Sequence, residues 1–471
     1  MTLAITTPRS AAASPGRWLL PVILLGNVLN VIDVFVVNVA LPTLTRTLHA
    51  GPAELELIVA GYSVSYACFL VIGGRLGDTF GRRRLFLTGM TGFTLASALC
   101  GFAPTTGILI AARILQGATA ALLVPQVLAT IQVNYEGAAR QRALGIFGAI
   151  MSVAAAAGQV LGGLLVSADL FGLSWRPAFL INIPVGVIGL IAARRVVPES
   201  RAQQAAPIDG SGTALLGAAV VLLLVPLTLG RDEGWPLWCW GLLAGSPVAA
   251  ALFASTQIRE ERRGGLPLLP PSLLQSPGMR RGLLVGLALF ASFGGMMLTT
   301  TVSLQYGLHY SPVAAGLTLT PFALCFLVGS LLARRLAARF GRLVLVGGAI
   351  LFALGLATVA LQAWTGYEQL TPLSLAPAEA VIGLGQSLVA IPLLGVVLHG
   401  VPAERTGVAG GVWTTTQQIA VAVGVAGIGT LFFTVADRDG FGTATVTAEL
   451  TEAALAVVTA ALAWTLPSAR R

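Results

Sequence analysis

Apolar residues occur along the chain in long uninterrupted blocks, separated by short segments that hold most of the charged residues. A block of about 20 apolar residues spans a bilayer as a helix, because only backbone that is hydrogen-bonded within itself is stable in lipid. The pattern therefore predicts an all-α membrane protein with about fourteen transmembrane helices. Their predicted ranges are 18–41, 55–74, 85–103, 107–133, 142–167, 177–196, 211–230, 236–257, 282–306, 313–333, 343–363, 377–400, 407–434 and 449–466.

The composition agrees with a membrane protein and argues against several soluble classes. The chain is 56% hydrophobic and 10% charged, whereas a soluble domain of this length needs more polar surface around its core. The net charge of +9 comes from arginine without any lysine, in short clusters without interleaved aromatic residues. Such clusters argue against nucleic-acid binding. Without a phosphate-loop lysine, ATP hydrolysis is not expected, so active transport would draw on an ion gradient.

The arginines are distributed unevenly between the loops on the two sides of the predicted membrane. With the N-terminus inside, nearly all of them fall in cytoplasmic segments, as the positive-inside rule requires. Both termini are then cytoplasmic. The exceptions are Arg46, Arg176, Arg231 and Arg438 on the opposite side, and Arg113 within the fourth predicted span.

An internal repeat divides the chain into two halves. Residues 75–82 and 335–342 share Arg, Leu, Phe, Gly and Arg in register. Duplicated halves that hold substrate between them are typical of secondary transporters. We predict a cytoplasmic tail (1–17), a six-helix bundle (18–200), an inserted helix pair (201–263), a cytoplasmic linker (264–281) and a second six-helix bundle (282–467). The Pro-rich linker either lies along the membrane interface or forms an ordinary loop.

Asp33 is the most informative residue, because it lies near the middle of the first predicted span. An acid there costs at least ~2.5 kcal/mol to insert and normally faces an aqueous or protein-lined cavity. Asn27, Asn30 and Asn38 fall on the same side of the helix. The functional interpretation is a proton acceptor. The alternative is a structural acid paired with a neighbouring helix.

Arg113 is the basic residue predicted deepest in the membrane, with Gln116 and Gly117 about one turn further on. A buried cation can hold a hydrogen-bond network around an acid, and a glycine lets helices approach closely. Arg113 is therefore a candidate for proton coupling with Asp33. A separate structural role for Arg113 is the alternative.

Two glycine-containing segments are candidates for conformational gating. The first joins spans two and three, where glycines permit a tight turn beside acidic and basic residues. A plain positive-inside anchor would explain its arginines but not its acid or its glycines. The second lies in the fifth span, where small residues permit close helix packing. The candidate gating residues are Gly74, Arg75, Asp78, Gly81, Arg82, Arg83, Gly158, Gly162 and Gly163.

These motifs, in this order, resemble the fourteen-span drug–proton antiporter group of the major facilitator superfamily. The segment Asp33 to Pro42 resembles the first-span signature of that group, and Gly74, Asp78, Gly81, Arg82 and Arg83 the loop signature of the superfamily. Further similarities are Arg113, Gln116 and Gly117 in span four, Gly158, Gly162 and Gly163 in span five, and Trp175, Arg176, Phe179, Asn182, Pro184 and Gly186 at span six.

The resemblance covers nearly the whole chain and implies the facilitator fold, proton coupling through span four and multidrug efflux. Two departures stand out. Thr79 occupies a position that is usually basic in the loop signature, which would weaken a latch there. Gln159 replaces a proline after Gly158, which would alter the bend of span five.

Substrate contacts are predicted from polar residues of the first half and aromatic or Met residues of the second. Aromatic and Met side chains suit loose recognition of varied ligands, although any one of them can equally be a packing or lipid-facing residue. Span ten carries no acid and Glu379 lies near the outer end of span twelve, which disfavours doubly charged cations. The candidates are Asn30, Asn38, Gln116, Phe290, Phe293, Met297, Phe322, Trp413 and Gln417.

The sequence thus predicts a proton-coupled antiporter in a bacterial cell membrane that exports small amphipathic drugs or metabolites by alternating access. Besides its substrate, protons and lipid, no metal, cofactor, nucleic acid or obligatory protein partner is expected. An importer or uniporter of one solute is the first alternative, and a non-transporting sensor or scaffold is the second. An enzyme is disfavoured because no nucleophile–base or metal-ligand arrangement occurs.

Overall fold

The computed structural model describes residues 16–201, 209–230, 233–265, 267–398, 401 and 406–466, and within these ranges it is helical with no strand. The first part contains α1 (Leu19–Leu48), α2 (Pro52–Phe80), α3 (Arg82–Gly101), α4 (Thr106–Asn134), α5 (Gly137–Ser167), α6 (Pro177–Leu180) and α7 (Asn182–Val196). The helix pair α8 (Gly210–Leu229) and α9 (Leu237–Arg262) follows. The second part contains α10 (Pro277–Val302), α11 (Pro312–Thr318), α12 (Thr320–Phe340), α13 (Leu343–Gly366), α14 (Pro372–Leu398) and α15 (Thr406–Trp464).

Within the described ranges, 11 helices are long and apolar enough to cross a membrane. The prediction of a multi-pass helical membrane protein is therefore confirmed. Most of the tail predicted at 1–17 lies outside the described residues. The predicted linker 264–281 overlaps the start of α10, which begins at Pro277 because proline suits the first turn of a helix.

Three predicted boundaries differ from the structure. The predicted spans 177–196 and 313–333 are each divided, into α6 with α7 and α11 with α12. The predicted loop between spans 407–434 and 449–466 is helical except at Gly440, whose φ of 83° breaks α15. The polar run Asp437, Arg438 and Asp439 favoured a longer loop in the sequence. A single glycine suffices to break the helix, because glycine adopts positive φ without steric cost.

The two halves have separate cores at one end of the molecule and a shared core at the other. Near the arginine-rich loops, Phe86 and Phe93 belong to a core of the first half, whereas Phe352 belongs to a core of the second. At the opposite end, Val37 and Leu41 of α1 share a core with Leu298, Val302 and Phe432 of the second half. We call this the joined end. The halves therefore share a continuous apolar core at the joined end.

The helix α8 packs against α2 and α15, and α9 packs against α8. The Ser246 hydroxyl of α9 donates to the Ala219 carbonyl of α8 at 2.8 Å, and the Thr430 hydroxyl of α15 donates to the Leu227 carbonyl of α8 at 2.7 Å. At the start of α8, burial raises the pKa of Asp209, but hydrogen bonds from Gln257 and from nearby groups outweigh burial and hold that pKa below its usual value. The pair is thus tied to both halves.

Candidate functional site

Asp33 of α1 and Arg113 of α4 form a buried ion pair. The Arg113 Nη1 donates to Asp33 Oδ2 at 2.5 Å, and each residue is only 1% exposed. A charged pair without solvent persists only with good geometry and further hydrogen bonds to its remaining polar atoms. The structure therefore places the Arg113 guanidinium in direct contact with the Asp33 carboxylate.

Three further side chains complete the surroundings of the Asp33 carboxylate. Gln116 Nε2 donates to Asp33 Oδ1 at 2.8 Å and also to the Ser97 hydroxyl of α3 at 2.8 Å. Asn182 Nδ2 of α7 donates to the same Asp33 oxygen at 2.9 Å. The carboxylate thus receives hydrogen bonds from side chains of two helices, α4 and α7.

Two of these partners were not assigned to the site from the sequence. Asn182 was noted only as part of a family segment, and Ser97 was not noted at all. A lone serine in an apolar helix carries little signal, because many such hydroxyls bond their own backbone. The packing of α3 against α4 and α7, and of α7 against α1, brings Ser97 and Asn182 into the network around Asp33.

Residues of α2 also hold the Arg113 side chain in place. Its Nε donates to the Ile58 carbonyl at 3.1 Å, and its guanidinium lies over the Tyr62 ring, 4.3 Å from the centroid. The Tyr62 hydroxyl donates in turn to the Asn30 side chain. A Cβ at Gly117 would lie 2.3 Å from the Tyr62 carbonyl oxygen, so the close approach of α2 to α4 requires glycine there.

A small cavity lies beside the ion pair, between the two halves. Arg113 and Tyr62 form part of its polar wall in the first half. Phe293 and Met297 of α10 line it from the second half. Across the cavity, the ring centroids of Phe35 and Phe293 are 6.4 Å apart. The ion pair therefore borders a mostly apolar space that both halves form.

The other predicted substrate residues lie at varying distances from this cavity. Asn38 lines it, whereas Asn30 lies behind Tyr62. Phe322 stacks on Phe293, with centroids 6.2 Å apart. Gln116 is fully buried behind the ion pair, in contact with Asp33.

Two of the remaining predicted aromatic residues pair with each other. The ring centroids of Phe290 and Trp413 are 5.9 Å apart, and Trp413 also packs against Gly286. Neither residue belongs to the cavity wall, and neither does Gln417, which is half-buried on α15. The predicted set therefore divides into a cavity group around Phe293 and a packing group around Trp413.

The glycines of α5 mark two close helix contacts. A Cβ at Gly158 or Gly162 would lie 2.9 Å from Phe35 Cβ or 3.1 Å from Val36 Cα of α1, respectively. A Cβ at Gly163 would lie 2.8 Å from the Pro312 carbonyl oxygen at the start of α11. Gly163 therefore packs against the other half at the joined end. The side chain of Gln159 lies outside the described residues.

The loop between α2 and α3 forms a network at the arginine-rich end. Asp78 forms an ion pair with Arg82 at 2.7 Å. The Arg83 guanidinium donates to the carbonyl of Arg194 in the last turn of α7. Arg75 donates to the Pro267 carbonyl of the linker. The hydroxyl of Thr79, where the loop signature is usually basic, donates to the Arg75 carbonyl of its own helix at 2.9 Å. The two glycines differ, since Gly74 faces Pro125 of α4 whereas Gly81 has a φ of 111° at the turn.

Comparisons with known proteins agree with this architecture. The family model described as Major Facilitator Superfamily matches residues 23–425. The chain is 39% identical to a probable actinorhodin transporter of Streptomyces coelicolor, over 90% of this chain and 75% of that protein. It is 37% identical to the puromycin resistance protein pur8 of Streptomyces alboniger, over 88% and 82%. It is also 32% identical to the multidrug resistance protein Stp of Mycobacterium tuberculosis, over 86% and 74%.

Solved structures support the fold alone. The chain superposes on the xylose transporter XylE from E. coli, in a partially occluded inward open conformation, with a TM-score of 0.64 and 16% identity, covering 96% of this chain and 98% of the other. A peptide transporter POT in complex with sulfate gives a TM-score of 0.69 at 15% identity, over 97% and 98%.

Proposed function

The chain belongs to the major facilitator superfamily, and from this membership we propose that it is a proton-coupled antiporter that exports small amphipathic drugs or metabolites. It is a multi-pass membrane transporter and not an enzyme. The names of its relatives, which include puromycin resistance and multidrug resistance proteins, support drug export. One observation carries the coupling: the Asp33–Arg113 pair lies beside a cavity between the two halves.

Coupling between protons and cargo follows because Arg113 both binds Asp33 and forms part of the cavity wall. In its charged form, Asp33 binds Arg113 and holds the guanidinium at the cavity wall. When Asp33 takes up a proton, that attraction is lost, and Arg113 is free to change partners and alter the cavity. Proton uptake from outside and release inside would thus drive release and renewed binding of cargo. Each proton gains about 2.3 kcal/mol per 100 mV of membrane potential.

The proposed topology has fourteen spans arranged as 6 + 2 + 6. It counts α3 and α5 as spans and α15 as two, because 59 helical residues at about 1.5 Å each far exceed the ~30 Å hydrocarbon core. The two bundles then cover 18–200 and 282–467, with the pair 201–263 and the linker 264–281 between them. With the arginine-rich loops and both termini in the cytoplasm, the joined end faces outward. The described state is therefore closed to the outside.

Replacing Phe293 with Ala is expected to reduce export of large aromatic cargo about tenfold and to spare small cargo. The reason is that Phe293 lines the cavity, and an aromatic contact between its ring and an aromatic cargo contributes about 0.5–1.5 kcal/mol. The measurement is the transport rate for a series of cargoes of increasing size. Phe69→Ala is the control, because Phe69 is 43% exposed on α2. A uniform loss across all cargoes, or an equal loss in both variants, would count against a substrate role.

Everted membrane vesicles test the proposed function as a whole. An exporter in such vesicles takes cargo up into an acidified lumen, and an uncoupler that collapses the pH difference stops the uptake. An importer would show no such uptake. A sensor or scaffold would move no cargo in either direction. Cargoes for the test are taken from a susceptibility screen of cells with and without the protein, and resistance to no compound at all would contradict drug export.

A further inference from the structure

Three acidic residues are buried together in the second half, away from Asp33. Glu379 belongs to α14, and Glu449 and Glu452 lie after the break in α15, about one helical turn apart. Their exposed fractions are 2%, 2% and 0%. Each acts electrostatically on at least one of the others, and in each the Oε2 atom has no hydrogen-bond partner. Each of the three acids lies at the start of a span predicted from the sequence.

No basic side chain balances this acidic cluster within the described part of the chain. The helix α13, which packs against both α14 and α15, carries no charged residue. On α10, Arg280 is exposed and Arg281 donates to the Thr465 carbonyl. Near the break of α15, Arg438, Asp437 and Asp439 are exposed.

Among the described side chains of the other helices in contact, no basic group enters the interior either. On α12, Arg335 and Arg339 are exposed near its end. On α2, the nearest acid is Glu56, which is buried against Gly429 of α15. Burying an unbalanced carboxylate costs several kcal/mol. The acidic cluster therefore needs a bound cation to be neutral.

Hydroxyl groups surround the acidic cluster. The Thr299 hydroxyl donates to Glu452 Oε1 at 3.1 Å, and the Ser292 hydroxyl donates to the Glu452 carbonyl at 3.0 Å. The Thr300 hydroxyl lies beside Glu449, but it makes no hydrogen bond of standard geometry and is only 6% exposed. Buried hydroxyls are rarely left without a partner, so the Thr300 oxygen is a group to which a protonated Glu449 could donate.

A chain of hydroxyls leads from the joined end towards the acidic cluster. Tyr367, at the end of α13, shares a hydrogen bond of 2.9 Å with the Ser303 hydroxyl. Ser303 in turn shares one of 2.7 Å with the Thr445 hydroxyl, and Thr445 lies one turn before Glu449. Because hydroxyls both donate and accept, such a chain can relay protons. The chain ends at Thr445, whose hydroxyl also donates to the Phe441 carbonyl at 2.8 Å. A water molecule or a rotation of the Thr445 side chain would complete the path from the outer solution to Glu449.

The acidic cluster is also close to the cargo cavity. Gly294 lines the cavity, and the next residue, Gly295, faces Glu452: a Cβ there would lie 3.1 Å from Glu452 Oε1. The helix α10 is therefore a common wall, with cargo on one side and the acids on the other. A change in charge at Glu452 would act directly on the wall that presents Phe293 and Met297.

We propose that Glu379, Glu449 and Glu452 form a second proton-binding site, loaded from the outer side through Tyr367, Ser303 and Thr445. In the loading step, a carboxylate oxygen gains a proton from the hydroxyl chain and the chain regains one from outer water. A proton fits better than a metal ion, since no group of these acids within the described residues has metal-ligand spacing. The inference rests on the proposed proton-coupled export, and it predicts that more than one proton moves per cargo.

The test is the coupling ratio in proteoliposomes with the membrane potential clamped at zero and an uncharged cargo. At a pH difference of one unit, two protons per cargo give a limiting cargo gradient of about 100-fold, and one proton gives about tenfold. Wild type is expected to approach the larger gradient. The double variant Glu449→Gln, Glu452→Gln is expected to fall to the smaller one, while Glu368→Gln, at an exposed site, keeps the wild-type gradient.

Several outcomes separate this inference from the proposed function. Equal gradients in wild type and the double variant would overturn the second site alone, whereas no pH-driven gradient in wild type would overturn the proposed function. Dependence on a sodium gradient at fixed pH would replace the proton by sodium. If the double variant does not fold, infrared spectra of the Asp33→Asn protein decide instead. A protonated-carboxyl band near neutral pH supports the site, and its absence overturns it.

Discussion

The Asp33→Asn variant is expected to lose pH-driven export completely, to the level of liposomes without protein. Asn keeps the shape of the side chain and an oxygen that accepts from Gln116 and Asn182, but it cannot bind or release a proton. The fold should persist at a cost, because removing one partner of a buried ion pair destabilises by about 3–5 kcal/mol. The measurement is cargo accumulation driven by an imposed pH difference, together with the thermal unfolding temperature.

Two further variants separate lost coupling from lost stability. The double variant Asp33→Asn, Arg113→Leu removes both buried charges, so it should recover part of the lost stability and still not export. Asp439→Asn makes the same chemical change at an exposed position and should leave export unchanged. Export by Asp33→Asn at the wild-type rate and with wild-type pH dependence would remove Asp33 from the coupling mechanism.

The Gly163→Val variant is expected to open the joined end and to stop export at the closing step. Gly163 touches the backbone of Pro312 and Val313 in the other half, and backbone cannot move aside cheaply. Overpacking of this kind costs about 1–3 kcal/mol, which reduces the population closed at the joined end by roughly five- to 150-fold. Spin labels at positions 46 and 368, one in each half, measure the effect as a new population at longer distance.

A matched control exists on the same helix. A Cβ at Gly148 meets no atom within 4 Å, so Gly148→Val carries the same helix-propensity cost without the contact between halves. It should show the wild-type distance distribution and wild-type export. Equal effects of the two substitutions would mean that α5 is sensitive to valine in general, and the assignment of Gly163 to closure would be wrong.

The sequence predicted the helices well where the physics is local. Apolar blocks of membrane-spanning length have few alternatives in lipid, so the multi-pass helical architecture follows from composition along the chain. The residues at which helices begin and end were less predictable. The run Asp437 to Asp439 favoured a loop, yet helix continues through it to a break at Gly440 alone.

That error in the last helix also hid the second acidic cluster. With a span predicted to begin at 449, Glu449 and Glu452 would have been placed at the membrane surface, where acids are ordinary. The structure starts this helical segment directly after Gly440, which buries both residues against α10. The sequence thus predicted the burial of Asp33, which lies in the middle of a predicted span. It did not predict the burial of acids near the end of a predicted span.

Which residues meet across helices was the least predictable feature of the candidate site. The cost of burying charge pointed to Asp33 and Arg113 individually, but their contact depends on how α1 packs against α4. The same limit affected the cavity. Phe293 and Met297 line it, whereas Gln116, on the same helix as Arg113, faces the ion pair instead. Helical periodicity gives a face of one helix, and only tertiary packing decides what that face meets.

Proton movement against cargo is the most direct test of proton-coupled export through Asp33. Proteoliposomes that contain a pH-sensitive dye are given a cargo gradient and no initial pH difference. Wild-type protein is expected to move protons in the direction opposite to the cargo, and the Asp33→Asn variant is expected to move none. Cargo flux through the wild type without any proton movement, or equal proton movement in both proteins, would contradict this mechanism.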